Sequence, residues 1–162
     1  MTENKIILEA NSFPRVDIDF MNNTHFDELV MVQELGQLIS AYQQSEVPSE
    51  SDTQQITRSF MDWLEHTRAH FSRENTLMQE VEFPMVQVHY QEHERVLAGM
   101  EEVANSWKKT SDIELLVEYV FSAWPTWFNA HVNTMDMMTA QFAVMNGYSP
   151  NSAPSLDEDS QD

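Results

Sequence analysis

The sequence predicts an all-α protein, an up-down-up-down antiparallel four-helix bundle with an extended N-terminal arm. Three observations carry that prediction. Only 3 of 162 residues are glycine, and β-branched runs are sparse, which favours helix over sheet. Apolar residues recur at threes and fours through four long stretches, the period of one buried helix face. Short polar or proline-containing segments join the stretches, and short connections make neighbouring helices antiparallel. The hydrophobic content of 41% supports a packed core, and the length suits one domain.

Residues 1–17 show no sustained period and contain Pro14, so they form the arm. The first helix is expected from Asp19 to Gln44, with Phe26, Leu29, Val30, Val32, Leu35, Leu38 and Ile39 as its apolar positions. A polar loop follows over 45–52. Ser51 with Gln54 three residues on forms a capping box, which starts the second helix near Thr53 and runs it to Gln79. Its apolar positions are Ile56, Phe60, Trp63, Leu64, Phe71 and Leu77. Pro84 suits the first position of the third helix, where a missing N–H costs little. That helix continues through Val96, Leu97 and Met100 to about Trp107. Ser111 with Glu114 forms a second capping box and opens the fourth helix, which ends near Asn146–Gly147. Pro125 falls inside the fourth pattern. It removes a hydrogen bond and crowds the carbonyl one turn back, so a kink or break is expected near Ser122–Pro125. The bundle is expected over residues 1–148, and residues 149–162 form an acidic, disordered tail.

Composition removes several functions. There is no cysteine, so disulfides, thiolate zinc sites and cysteine nucleophiles are excluded, and any metal must use nitrogen and oxygen ligands. The net charge of -19 repels nucleic acid and anionic membranes. It reads as a solvated surface, or as an acidic face for a basic protein partner. No apolar run nears the roughly 18 residues of a membrane span. The N-terminus lacks the basic and apolar regions of a secretion signal, so a cytoplasmic protein is expected.

The chemistry concentrates between His70 and His93. His70 with Glu74, and His89 with His93, are spaced i, i+4, which puts each pair on one helix face. His25 on the first helix, and His131 with Asp136 on the fourth, face the same seam in a bundle. The last pair is spaced i, i+5, roughly 140° apart on a regular helix. Either Asp136 reaches in from the flank or a π-bulge closes the angle. Five histidines and two carboxylates exceed the four ligands usual for one zinc. They suit two metals sharing carboxylates, and imidazole with carboxylate suits iron, manganese or zinc. Left without metal, these groups cost roughly 1–3 kcal/mol each if buried and unpaired. His66 falls outside the pattern and reads as an exposed or flanking residue. The eleven methionines read as core filler.

This pattern resembles the haemerythrin family in its bacterial form. Asp19 ahead of His25, Phe71 after His70, Phe83-Pro84 before the third helix and Trp127 four residues before His131 add to the resemblance, which covers about residues 13–145. The resemblance implies a non-haem di-iron centre with an oxo or hydroxo bridge. His89, His93 and His131 would hold one iron, His25 and His70 the other, and Glu74 and Asp136 would bridge them. O2 would bind at the open position of the iron with two histidines. Phe26, Phe71 and Phe128 are neighbours of ligands in sequence and candidate walls of a dry O2 pocket. The chain departs from the family's habit at Asn75, where a second glutamate is common, at Phe128, where leucine is commoner, and at Pro125.

The function expected is reversible O2 binding for carriage, storage or sensing, and not catalysis. No further side chain is an evident base or nucleophile. A di-iron redox enzyme consuming peroxide, nitric oxide or O2 is the alternative, as is a sensory module acting through a fused or partner domain. A ferritin-like oxidase fits less well, because the chain has no Glu-x-x-His pair.

Overall fold

The computed structural model describes residues 13–154, and every regular element among them is helical. α1 spans Asp19–Gln44, as the periodicity predicts. Its buried face carries Met21, His25, Leu29, Val32, Leu35 and Ile39 at helical spacing. α2 spans Glu50–Glu80 and starts earlier than expected. The loop contains two overlapping capping boxes, and the earlier one is used. Asp52 N–H donates to Ser49 Oγ at 3.1 Å, and Ser49 N–H donates to Asp52 Oδ2 at 2.8 Å. An aspartate in the first turn also complements the helix dipole, which the neutral Gln54 cannot.

α3 spans Val86–Thr110, so Pro84 lies in the preceding turn and not at the first helical position. The reason is the turn itself. Glu82 adopts a left-handed φ of 54°, and Phe83 N–H returns to the Met78 carbonyl at 2.9 Å. The second expected box is also replaced. Ser111 is left-handed, with φ 52°, and its N–H closes α3 on the Trp107 carbonyl at 2.8 Å. Asp112 then caps the next helix by accepting from Glu114 N–H at 3.1 Å.

The fourth rod is α4 (Ile113–Glu118), a π-helical turn at Tyr119–Ala123, α5 (Trp124–His131), a second π-helical turn at Val132–Asp136, and α6 (Met137–Met145). It does not break at Pro125. Ala123 and Trp124 keep helical backbone angles, and the wider turn just upstream accommodates the proline ring and its missing N–H. Gly147, with φ 93°, follows the end of α6 as expected.

α1 packs on α2 and α2 on α3, while the fourth rod closes against α1, α3 and the end of α2. With short connections this is an up-down-up-down bundle. One half of the core is aromatic: Trp63 meets Trp124 edge-on at 5.2 Å, and Trp124 stacks on Phe128 at 4.7 Å. The described part of the arm, residues 13–18, is held by Asn22. Asn22 Oδ1 accepts from Val16 N–H at 2.9 Å and Asn22 Nδ2 donates to the Val16 carbonyl at 2.8 Å, so Phe13, Val16 and Ile18 are buried. After α6, Asp19 N–H donates to the Pro150 carbonyl at 2.9 Å, and Pro154 is buried. Residues 155–162, and residues 1–12 of the arm, lie outside the described residues. Among the described residues no helix is long and apolar enough to cross a membrane.

Candidate metal centre

Each rod contributes to one buried cluster. The i, i+4 pairs of α2 and α3 point inward because α geometry returns to the same face after one turn. His25 on α1 faces them. The fourth rod needs its second π-turn to join. Without it His131 and Asp136 would diverge; with it His131 Nε2 lies 3.2 Å from Asp136 Oδ1. Of the two arrangements open for this pair, the chain uses the bulge.

The ligand atoms form two groups, each gathered within 4.8 Å: His25, His70 and Glu74, and then Glu74, His89, His93, His131 and Asp136. Both carboxylates reach both groups. Glu74 Oε2 lies 2.7 Å from His70 Nε2 and 3.6 Å from His25 Nε2, while Oε1 lies 3.4 Å from His93 Nε2 and 3.8 Å from His89 Nε2. Asp136 Oδ2 lies 3.1 Å from His25 Nε2, while Oδ1 lies 3.2 Å from both His89 Nε2 and His131 Nε2.

His70 Nε2 pairs with Glu74 Oε2 and His89 Nε2 with His131 Nε2, but most of the other atoms are close without being paired. Both ring nitrogens of His25, His93 Nε2, Glu74 Oε1 and both Asp136 oxygens are buried without a hydrogen-bond partner. Unpaired buried groups of this kind cost roughly 1–3 kcal/mol each, and a cation among them removes that cost. The donor set, imidazole and carboxylate, fits iron and other divalent first-row metals.

A model of the Hemerythrin HHE cation binding domain matches residues 16–143. The chain belongs to the haemerythrin family. It is 25% identical over 136 residues to a Bacteriohemerythrin of Aquifex aeolicus (strain VF5), covering 84% of this chain and 97% of that protein. It is 33% identical over 86 residues to a Bacteriohemerythrin of Ralstonia nicotianae (strain ATCC BAA-1114 / GMI1000), covering 52% of this chain and 61% of that protein. No solved structure matches it significantly.

In this haemerythrin domain three of the five outward ring nitrogens face an oxygen, of two kinds. His89 Nδ1–H donates to Thr139 Oγ1 at 2.8 Å, and His93 Nδ1–H donates to Asn75 Oδ1 at 2.9 Å. Both acceptors are neutral, and both leave Nε2 facing the cluster. His70 Nδ1 instead faces Glu28 Oε2 at 3.6 Å. Burial pushes Glu74 and Asp136 up, and the charge of Asp136 raises Glu74 further. The histidines win: His70 and His25 hold Glu74 well below the carboxylate range, and His131, His25 and His89 do the same for Asp136. Burial disfavours a charged His70, yet Glu74 and Glu28 raise it to about 10. Burial lowers His93 to about 4. Burial would raise Glu28 also, but His66 and His70 bring it to about 2.

Aromatic rings enclose the cluster. Phe71 stacks on His93 at 3.9 Å, Trp127 on His131 at 4.6 Å, and Phe128 and Phe13 meet His25 edge-on at 5.5 and 6.0 Å. Of the three phenylalanines expected beside the ligands, Phe71 and Phe128 lie against cluster histidines. Phe26 does not: it is 40% exposed, because the position after His25 is turned about 100° away from it. His66 is partly exposed, with Nε2 3.1 Å from Glu28 Oε2. Sequence reasoning missed Glu28, Thr139 and Phe13. The available signal for Glu28 was a carboxylate three residues after His25, inside an apolar stripe.

Proposed function

We propose that this haemerythrin domain binds two non-haem iron ions and takes up O2 reversibly, for carriage, storage or sensing. His89, His93 and His131 would hold one iron and His25 and His70 the other, with Glu74 and Asp136 shared between them and an oxo or hydroxo group completing the centre. The observation that carries this reading is the splitting of each carboxylate, one oxygen toward each histidine group. The two-to-three division of histidines leaves the His25–His70 side one protein ligand short. When bound, two ferrous ions supply an open coordination position and two electrons for O2.

The protein's own residues do the rest. The bridging carboxylates are held ionised, the form a cation needs. Thr139 and Asn75 fix two imidazoles as Nδ1–H tautomers. Phe13 and Phe128 cover His25 and keep water from that side. Phenyl rings have no proton to transfer, which favours holding O2 over converting it. The relatives named Bacteriohemerythrin support the same reading. Within it the protein works in the cytoplasm without nucleic acid or membrane, consistent with its net charge of -19.

The test is anaerobic loading with ferrous iron, followed by O2. Two irons per chain and a visible charge-transfer band that fades on deoxygenation are expected. Fewer than two irons with all seven ligands intact overturns the proposal. A band that never reverses moves the reading to a redox enzyme or redox sensor.

A further inference from the structure

Glu28 is a carboxylate that the two-metal reading does not use, yet it is only 1% exposed and lies beside the cluster. A buried charge is costly unless it is paired. One of its oxygens is well paired. Trp63 Nε1–H donates to Oε1 at 2.9 Å and Thr67 Oγ1–H donates to it at 2.7 Å. Both donors sit on α2, the helix that also carries His70, so they fix the carboxylate relative to that ring. The other oxygen is not paired. Glu28 Oε2 has no hydrogen-bond partner, and neither has His70 Nδ1 at 3.6 Å or His66 Nε2 at 3.1 Å. Three unpaired polar atoms thus face one another. The His70 contact is roughly 0.6 Å longer than an ordinary N–H···O bond. The far side of the same ring is committed to the cluster, with Nε2 2.7 Å from Glu74 Oε2.

We propose that Glu28 is a positioning residue for the two-histidine half of the centre: it accepts the Nδ1–H of His70 and fixes the tautomer whose Nε2 lone pair faces the metal. The proposal rests on the two-metal reading above. It assigns the halves different support. His89 and His93 lean on the neutral Thr139 and Asn75, whereas His70 leans on a full carboxylate, which makes its Nε2 the stronger donor. The half with fewer protein ligands therefore has the stronger outer partner.

The probe is zinc, which is redox-silent, titrated into the metal-free full chain against a competing chelator. Wild type should take two zinc ions per chain. Glu28→Gln keeps the shape and the acceptor for Trp63 and Thr67 but lacks the charge. It should hold one zinc unchanged and bind the other about 10–100-fold more weakly. His66→Ala, which removes the other neighbour of Oε2, should leave both affinities within about twofold. In nitrogen-15 spectra of the zinc-loaded wild type, His70 should carry its proton on Nδ1.

Equal weakening of both sites by Glu28→Gln, no weakening, or a His66→Ala effect as large as that of Glu28→Gln overturns the assignment. A bare Nδ1 on His70 overturns it too, and this decides the matter if Glu28→Gln fails to fold. Failure of wild type to take two zinc ions is a separate result, which removes the metal reading itself.

Discussion

The two halves of the centre are built differently. His25 and His70 come from α1 and α2, which are unbroken, and His70 stands between two carboxylates, Glu28 and Glu74. His89, His93 and His131 come from α3 and from a rod with two π-turns, and the outer partners found for His89 and His93 are neutral. The protonation states follow. His70 is raised to about 10, whereas burial lowers His93 to about 4. At neutral pH His70 holds a proton that a metal would have to displace, and His93 does not.

The largest test of this comparison is the residue the halves share. Glu74→Ala removes an oxygen from each, so metal content should fall from two ions per chain to fewer than one, read by elemental analysis. Retention of one full ion in either half would mean that Glu74 serves a single site.

Acid is the next test. Metal has to displace the His70 proton, so affinity of the two-histidine half should rise with pH toward about 10 and be lost first on acidification. At pH near 6 the chain should hold one ion, and uptake of the second at pH 8 should release protons into a weakly buffered solution. Folding of metal-free protein runs the other way. His70 has a raised folded pKa, so its stabilisation is full below about 6.5 and is lost as pH rises through about 10. His93 has a lowered one, so its share is present above about 6.5 and is lost as pH falls through about 4. Thermal unfolding of chelator-treated protein across this range checks both signs.

Smaller effects separate the outer partners. Asn75→Ala should weaken the three-histidine half about 10–100-fold and spare the other. The smallest effect concerns the second π-turn. Deleting the exposed Asn133 changes the spacing of His131 and Asp136 from i, i+5 to i, i+4, the spacing that α2 and α3 use. Both ions should stay, with affinities within about twofold.

The i, i+4 pairs were legible in the sequence because an α-helix repeats its faces at a constant angle. His131 and Asp136 were legible as residue types, but their geometry was not, since a π-turn is set by what the rod packs against. The same holds for helix starts. The loop before α2 contains Ser49 with Asp52 and Ser51 with Gln54, and only the span the loop must bridge selects between them. Pro125 gave the right location for an irregularity, and of the kink or break it allowed the break does not occur, because a widened turn keeps the rod continuous. Glu28 was invisible as a partner, because its role depends on α2 crossing α1 at Trp63, Thr67 and His70.

The central claim is that Glu74 and Asp136 hold two metals side by side. X-ray absorption of the iron-loaded protein tests it most directly. A second iron within about 4 Å of the first is the result expected for bridged ions. Iron with only nitrogen and oxygen neighbours, and no iron scatterer at that range, would contradict it.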